Sequence, residues 1–330
     1  MKFRKLTVSA AAALMLSTLP ALAEWPEKPI TIIVPWGAGG ATDQVTRVTA
    51  AELEKALGQT VVVVNQPGAS GSIGSKAALD APHDGYTFTA GAAKDLGTYA
   101  VTGKLSTSIK DWDLYLNSAL ASVVSVNADS GIKDMAGFID ALKAGGLTIA
   151  TSGVNSAGHS AIESIIAKVG GSYKHVSYEG GAKAVLSTVS GETQATTQLI
   201  TEQMDMLRAG KLRPLSILSD ADAVVPDVGT IPSISASISD FVSSPIYFGL
   251  FMPGDVPDEV SDKLEAVWSS KIANSAALKE YTKGRGSIMT VHAGDEAQDK
   301  VWASIQTNAW LLFDSGKASV SPDTVGIPRR

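Results

Sequence analysis

The chain of 330 residues contains no cysteine. That single absence excludes disulfides, thiol nucleophiles, thiolate metal sites and a lipid anchor on cysteine. Histidine is also scarce. His83, His159, His175 and His292 are the four present, and none is spaced from another as a zinc-ligand pair, so a metal would have to rely on scattered carboxylates. No Gly-x-Ser-x-Gly elbow exists; Ser70 and Ser72 come nearest, and each misses one outer glycine. Ser156 and His159 can be drawn as nucleophile and base, but no acid stands where it would orient them. Basic residues (27) are outnumbered by acidic ones (33), a net charge of −6, so the basic footprint of a nucleic-acid binder is missing. These gaps argue against an enzyme and imply neither cofactor nor metal. What remains is an ordinary folded composition, 45% hydrophobic and 18% charged, in a chain long enough for two domains.

The first 23 residues read as a targeting segment. Lys2, Arg4 and Lys5 precede a mostly apolar run, 6–19, which is shorter than the roughly 20 residues that span a bilayer. Ala21-Leu22-Ala23 is a small-x-small cleavage site, with Glu24 as the expected mature start. Losing those three basic residues takes the net charge from −6 to −9. An exported chain without disulfides suits a bacterial periplasm, and full secretion stays open.

The rest is organised around residues 29–43, Pro-Ile-Thr-Ile-Ile-Val-Pro-Trp-Gly-Ala-Gly-Gly-Ala-Thr-Asp. Residues 30–34 are an apolar, β-branched run typical of a buried strand, and Pro35 ends it because proline has no N–H for the ladder. Gly37, Gly39 and Gly40 let the backbone turn and present its amides. Thr42 and Asp43 suit the N-cap or first turn of a helix over 41–57. Alone this is an ordinary tight βα turn. It can also seat an anion, since free N–H groups and the positive end of a helix dipole meet there. A dinucleotide fingerprint fails because Thr42 replaces the third small residue, and a P-loop fails because the turn ends Ala41-Thr42-Asp43. The seat fits something smaller than a nucleotide.

The same grammar repeats downstream. A strand at 60–65, a glycine turn at 66–74, a helix near 75–80 and a strand at 86–90 predict a parallel sheet flanked by helices. An extended run at 119–126 precedes a restart: helix 133–144, strand 147–151, turn 152–158, helix 160–169, strand 172–176, helix 182–190 and strand 193–197. Thr201 reads as the N-cap of a helix to about 208, with a strand at 215–218. A second extended run, 244–252, is followed by amphipathic helices at 258–272 and 293–313. The two extended runs are expected to be hinge strands, dividing the chain into 24–125 plus 247–330 and 126–246. The turn at 150–159 repeats the chemistry of the first, with Ser152, Asn155 and Ser156 as added donors. One anion seat in each half is the layout of a clamp.

Several segments together resemble a known family: Trp-Pro-Glu-Lys-Pro-Ile at 25–30, Val-Pro-Trp-Gly-Ala-Gly-Gly-Ala-Thr-Asp at 34–43, Asn-Gln-Pro-Gly-Ala-Ser-Gly-Ser-Ile-Gly at 65–74, Asp-Gly-Tyr-Thr at 84–87, Gly-Val-Asn-Ser-Ala-Gly-His at 153–159 and Tyr-Glu-Gly-Gly at 178–181. Ala-Gly-Lys-Leu-Arg at 209–213 and Phe-Gly-Leu-Phe-Met-Pro at 248–253 fit the same pattern. They look like the periplasmic solute-binding proteins of tripartite tricarboxylate transporters, the TctC/Bug family. The resemblance implies an α/β, two-domain periplasmic binding protein type II fold, each domain a mostly parallel sheet flanked by helices, with a deep cleft. It further implies a monomer that binds a small organic carboxylate and delivers it to a permease of one large and one small membrane subunit. Carried over by position, the first binding loop is Trp36, Gly37, Ala38, Gly39, Gly40 and on to Asp43, and the facing loop holds Ser152, Asn155, Ser156, Ala157 and His159, the last as a pocket-rim or capping residue.

Departures bear on the ligand. Trp36-Gly37 replaces the Phe-Pro or Phe-Ala common in the family, enlarging the pocket wall. Beyond Gly191, where many relatives carry an Asp, Gln194, Thr197 and Gln198 offer amides and a hydroxyl, which tilts the reading to a plain carboxylate over an amino acid. Lys94, just past the third strand, stands where the family places a ligand-facing residue, able to pair with a second carboxylate. Roughly four charge-assisted hydrogen bonds of about 1.5–3 kcal/mol reach the ~8 kcal/mol of micromolar binding before ordering costs. A sensor subunit that presents ligand to a membrane signalling protein would use the same cleft, and that alternative stays open at this stage.

Overall fold

The computed structural model describes residues 24–330; the expected leader, 1–23, lies outside the described residues. The chain opens with β1 (Ile30–Val34), α1 (Ala41–Leu57), β2 (Val61–Asn65), α2 (Ser72–Leu79), β3 (Thr87–Ala92) and the short α3 (Ala93–Thr98). Next come β4 (Trp112–Leu120) and, two residues later, β5 (Val123–Asn127). Then follow α4 (Met135–Ala144), β6 (Leu147–Thr151), α5 (Ala157–Val169), β7 (Tyr173–Ser177), α6 (Gly181–Ser190), β8 (Ala195–Thr196), α7 (Ile200–Arg208) and β9 (Leu212–Ile217). A small antiparallel hairpin, β10 (Ala223–Val225) with β11 (Gly229–Ile231), precedes β12 (Ile246–Pro253), α8 (Asp258–Val267), α9 (Ala276–Gly284), β13 (Ile288–Ala293) and α10 (Gly294–Asp314).

Two mixed sheets result, one ordered β13-β4-β12-β3-β1-β2 and the other β7-β6-β8-β5-β9. The mostly parallel sheets expected from the βα repeats need correction. β2, β1 and β3 are parallel, but β12 runs antiparallel to β3 and β4, and β13 antiparallel to β4. In the second sheet β7, β6 and β8 are parallel, while β5 runs against β8 and β9. The antiparallel ends form where the chain crosses between sheets. It leaves the first at Leu120, enters the second at Val123, and is back in the first by Ile246. The single extended run expected at 119–126 is therefore two strands, each in a different sheet, broken at Ala121-Ser122.

The parallel half of each sheet is what positions the site. α1 and α3 follow β1 and β3, and α5, α6 and α7 follow β6, β7 and β8, so each helix starts at the carboxyl end of its strand. Period-two alternation explains why the central strands read as solid apolar runs. Ile30, Ile32 and Val34 pack with Val45, Leu53 and Trp268 on one face, while Ile33 joins Leu96, Tyr99, Val301 and Ile305 on the other. In the second sheet Val124 and Val126 pack with Phe138 and Ile162, and Val123 turns to Val185 and Met204. Each such buried side chain contributes about 1.5–3 kcal/mol. Among the described residues no helix is long and apolar enough to cross a membrane.

Candidate ligand site

β1 stops at Pro35 and the chain turns into α1, whose N-cap is Gly40 with no side-chain cap. Asp43 is thus a first-turn residue and not the cap. Its carboxylate folds back to accept from the Gly39 N–H at 2.9 Å, Arg47 Nε at 3.0 Å and Asn65 Nδ2 at 2.9 Å. Asn65 also donates to the Trp36 carbonyl at 3.1 Å, which ties the turn to the end of β2. Burial alone would raise the Asp43 pKa, but the hydrogen bonds from Arg47, Gly39 and Asn65 outweigh it and hold the carboxyl below its usual range. Asp43 fixes the shape of the turn.

The facing turn opens α5. Ser156 caps it by accepting the His159 N–H at 3.3 Å. Asn155 sits in the left-handed region at φ 71°, where an Asn is tolerated better than most side chains. Its amide donates to Thr98 Oγ1 at 3.0 Å and accepts from Asn308 Nδ2 at 3.1 Å, and its carbonyl accepts from Lys94 Nζ at 3.0 Å. Thr98, Asn308 and Lys94 all belong to elements packed on the first sheet, so one residue bridges the two halves. Lys94 is buried and also pairs with Asp95 at 2.9 Å. Burial drives the Asp95 pKa up, opposed by Lys94 and Lys104.

Between these turns the starts of four helices meet. Gly40, Ala41 and Thr42 of the α1 start, Ser156 and Ala157 of α5, Gly181 of α6 and Glu202 of α7 line one cavity, closed by Trp36, Asp95 and Phe248. Its volume is about 20 Å³, room for about one water. A wider groove of about 460 Å³ lies outside it, between residues 67–71 and residues 152–154 and 177–179. Trp36 and Ser152 line both spaces, so the groove and the inner cavity lie side by side. Lys104 lines the groove, donates to the Val154 carbonyl at 3.2 Å, and has its pKa held down by burial. Converging N–H groups and dipoles favour a hydrogen-bond acceptor at the inner end, in opposition to the burial that raises the Asp95 and Glu202 carboxyls there.

Of the residues expected at the site, Trp36, Gly40, Ser152, Ser156, Ala157 and Gln198 line the inner cavity. Gly37 lies beside it, backbone to backbone with the other half: a Cβ there would overlap the Glu179 carbonyl oxygen. Ala38 and Gly39 are at the exposed outer tip of the turn, and the Gly39 amide is taken by Asp43. Asp43, Lys94 and Asn155 belong to the hydrogen-bonded frame. Thr197 is buried behind α5 and donates to the Gly158 carbonyl at 2.7 Å. His159 is no rim residue. It is buried beneath the turn, stacked on His175 at 4.8 Å, and its Nδ1 accepts the Asn155 N–H at 3.3 Å. Thr201 does not cap α7, since Leu199 holds that position. Gln194 is exposed and bonded to Thr148, away from the cavity.

Sequence reasoning missed Glu202. Its Oε1 accepts the Ala41 N–H at 3.0 Å and its Oε2 accepts Gln198 Nε2 at 3.0 Å. Burial pushes its pKa up to about 7, partly offset by the bonds from Ala41, Leu199 and Gln198. An acid does face the cavity beside Gln198, contrary to the expectation of amides in its place: it is Glu202, one helical turn later. A Gln followed by a Glu at i+4, together with Gly180-Gly181, is the only signal that could have found it.

The family described as "Tripartite tricarboxylate transporter family receptor", TctC, matches residues 45–308. A curated relative from Pseudomonas sp. strain P51, a UPF0065 protein in the tcbD-tcbE intergenic region, is 31% identical over 256 residues, covering 76% of this chain and 75% of its own. Among solved structures, one titled as a periplasmic transporter superposes with a TM-score of 0.79 at 27% identity, covering 89% of this chain and 98% of the other. MatC (Rpa3494) from Rhodopseudomonas palustris with bound malate gives 0.78 at 23% identity, covering 88% and 99%. R. palustris Rpa4515 with adipate gives 0.79 at 22%, covering 89% and 99%; at these identities both likenesses speak to the fold.

Proposed function

Because the chain belongs to the TctC family of tripartite tricarboxylate transporter receptors, we propose that this solute-binding protein captures a small organic carboxylate in the cleft between its two halves. The observation that carries the reading is the meeting of the α1, α5, α6 and α7 starts at one cavity behind an open groove. N–H groups held at helix starts bind an anion without reorganisation, each worth about 1.5–3 kcal/mol when the acceptor is charged. The moving units are 24–121 with 246–330 and 122–245; the expected boundaries at 125/126 and 246/247 shift to the crossings near 121–122 and 244–246, because β5 pairs wholly within the second sheet and Ile246 already pairs in the first. The ligand carboxylate sits between the two turns, with Lys104 lining the groove that leads off from them. Closure on the ligand presents a surface to a membrane permease of one large and one small subunit, on the periplasmic side. The malate and adipate held by structural neighbours support a dicarboxylate as the first class to try.

Glu202 favours one second reading, a zwitterion whose ammonium group meets this carboxylate. A thermal-shift panel of mono-, di- and tricarboxylates, aromatic acids and free amino acids decides between them. At a hundredfold excess over Kd, binding adds ~2.7 kcal/mol to stability, enough to raise Tm by several degrees. The proposal expects dicarboxylates to do so. Stabilisation by amino acids but by no simple carboxylate would reject it.

A further inference from the structure

Glu202 and Ala41 are 161 residues apart in sequence, on opposite sides of the cleft, yet the carboxyl of one accepts the first helical N–H of the other at 3.0 Å. The fit is built on both sides. A Cβ at Gly181 would overlap the Glu202 carboxyl, and one at Gly40 would stand 3.3 Å from its Oε1. The carboxyl is thus held between the starts of α1 and α6, with Gln198 Nε2 on its second oxygen. Its partners are N–H donors and not a cation, which is the environment the cleft offers an anion. The remaining cavity of about 20 Å³ has no room for a diacid beside it.

We propose that the Glu202 carboxyl is a tethered counterpart of the ligand's own carboxylate, a latch that closes the cleft on the protein's own carboxyl group and that a ligand must displace from the start of α1. This rests on the cleft being the carboxylate site. A tethered group competes at high effective concentration, so only a ligand with a full carboxylate, backed by contacts in the outer groove, replaces it. A neutral or weakly accepting group does not. Glu202 therefore sets the threshold for what the cleft accepts. On displacement it frees the Ala41 N–H and Gln198 Nε2 together, and both become donors for the incoming acid.

The absence of cysteine makes the test direct. Cysteines placed at exposed Gln66 and Lys174, one on each half, carry spin labels whose separation is read by pulsed EPR in buffer free of organic acids. The parent, Glu202→Ala and Glu202→Gln are compared, and each is titrated with malate and adipate. The latch predicts a longer mean separation in Glu202→Ala and a smaller increase in Glu202→Gln, which keeps an acceptor oxygen. It also predicts at least tenfold tighter binding of whichever acid the parent binds. If Glu202→Ala loses its fold by circular dichroism, Glu202→Gln carries both readouts. Separations that do not change overturn the latch. Acids that bind parent and variants equally overturn it too and leave the cleft reading standing. A separation that responds to Glu202 while neither acid binds any version supports the latch and rejects the cleft reading for these acids. An amino acid bound by the parent and lost in Glu202→Ala makes Glu202 a ligand contact and overturns the latch.

Discussion

His159 lies beneath the turn that opens α5, neutral because charging it there is unfavourable. Burial is the main cause, with His175, Lys317, Lys94 and Lys104 adding repulsion, and together they lower its pKa from 6.5 to about 3. The unfolded chain takes up a proton near pH 6.5 that the folded chain refuses. Stability is therefore complete above 6.5 and falls as pH drops towards 3, by about 2–3 kcal/mol at pH 4.5. Glu202 works the other way. Its pKa is raised from 4.5 to about 7, so its contribution is complete below 4.5 and is lost as pH rises through 7. Because the two oppose each other between 4.5 and 6.5, each is read as a difference between parent and variant in urea melts. His159→Asn, which keeps an acceptor for the Asn155 amide, should remove acid sensitivity in this window, so that its deficit against the parent shrinks as pH falls. A deficit independent of pH would mean that His159 is already charged in the fold. Neither role was legible in the chain. His159 stands in a turn of small residues that looks superficial, and Glu202 sits in a polar stretch, Thr-Glu-Gln, that resembles any exposed helix start.

At the scale of elements, the two glycine turns meet backbone to backbone, Gly37 against Glu179 and Gly180. That contact needs no side chain to form and tolerates none at Gly37. Gly37→Ala should leave each half folded, with Tm little changed, while weakening ligand binding about tenfold or more, ~1.4 kcal/mol, because the halves no longer close. Unaltered affinity by calorimetry would show that this contact is no part of closure. The strands and helices of the parallel halves were largely readable, since β-branched runs followed by glycine turns and amphipathic helices leave little choice; α1 runs over Ala41–Leu57 and β6 over Leu147–Thr151. The antiparallel ends were not. β4 carries Asp113, Asn117 and Ser118, and the last two are fully buried, so no apolar run marked it. Asn117 is stabilised there by donating to Thr49 at 3.1 Å, a partner 68 residues away. β13 lies at the sheet edge and is only partly covered, and it too lacked a pattern.

For the whole molecule, the proposed function asks how a chain of net charge −6 would hold a carboxylate. Charges spread over the surface act through solvent and are screened over roughly 8 Å at physiological salt. The N–H groups at the helix starts act at contact, in a cavity that excludes most water, so local donors outweigh the global charge. Two sheets with their helix starts facing each other across a crossing are what bring those donors together, and Asn155, linked to Lys94, Thr98 and Asn308, holds the halves in register. The most direct measurement is amide NMR on the deuterated, 15N-labelled protein, titrated with the acid that gives the largest thermal shift. Saturable shifts of the Ala41, Thr42, Ala157 and Gly181 amides are the predicted result, with the amides of Asp113 and Asp295, which line a separate groove on the first half, unmoved. Saturable binding whose shifts fall elsewhere and leave these four amides untouched would contradict the account.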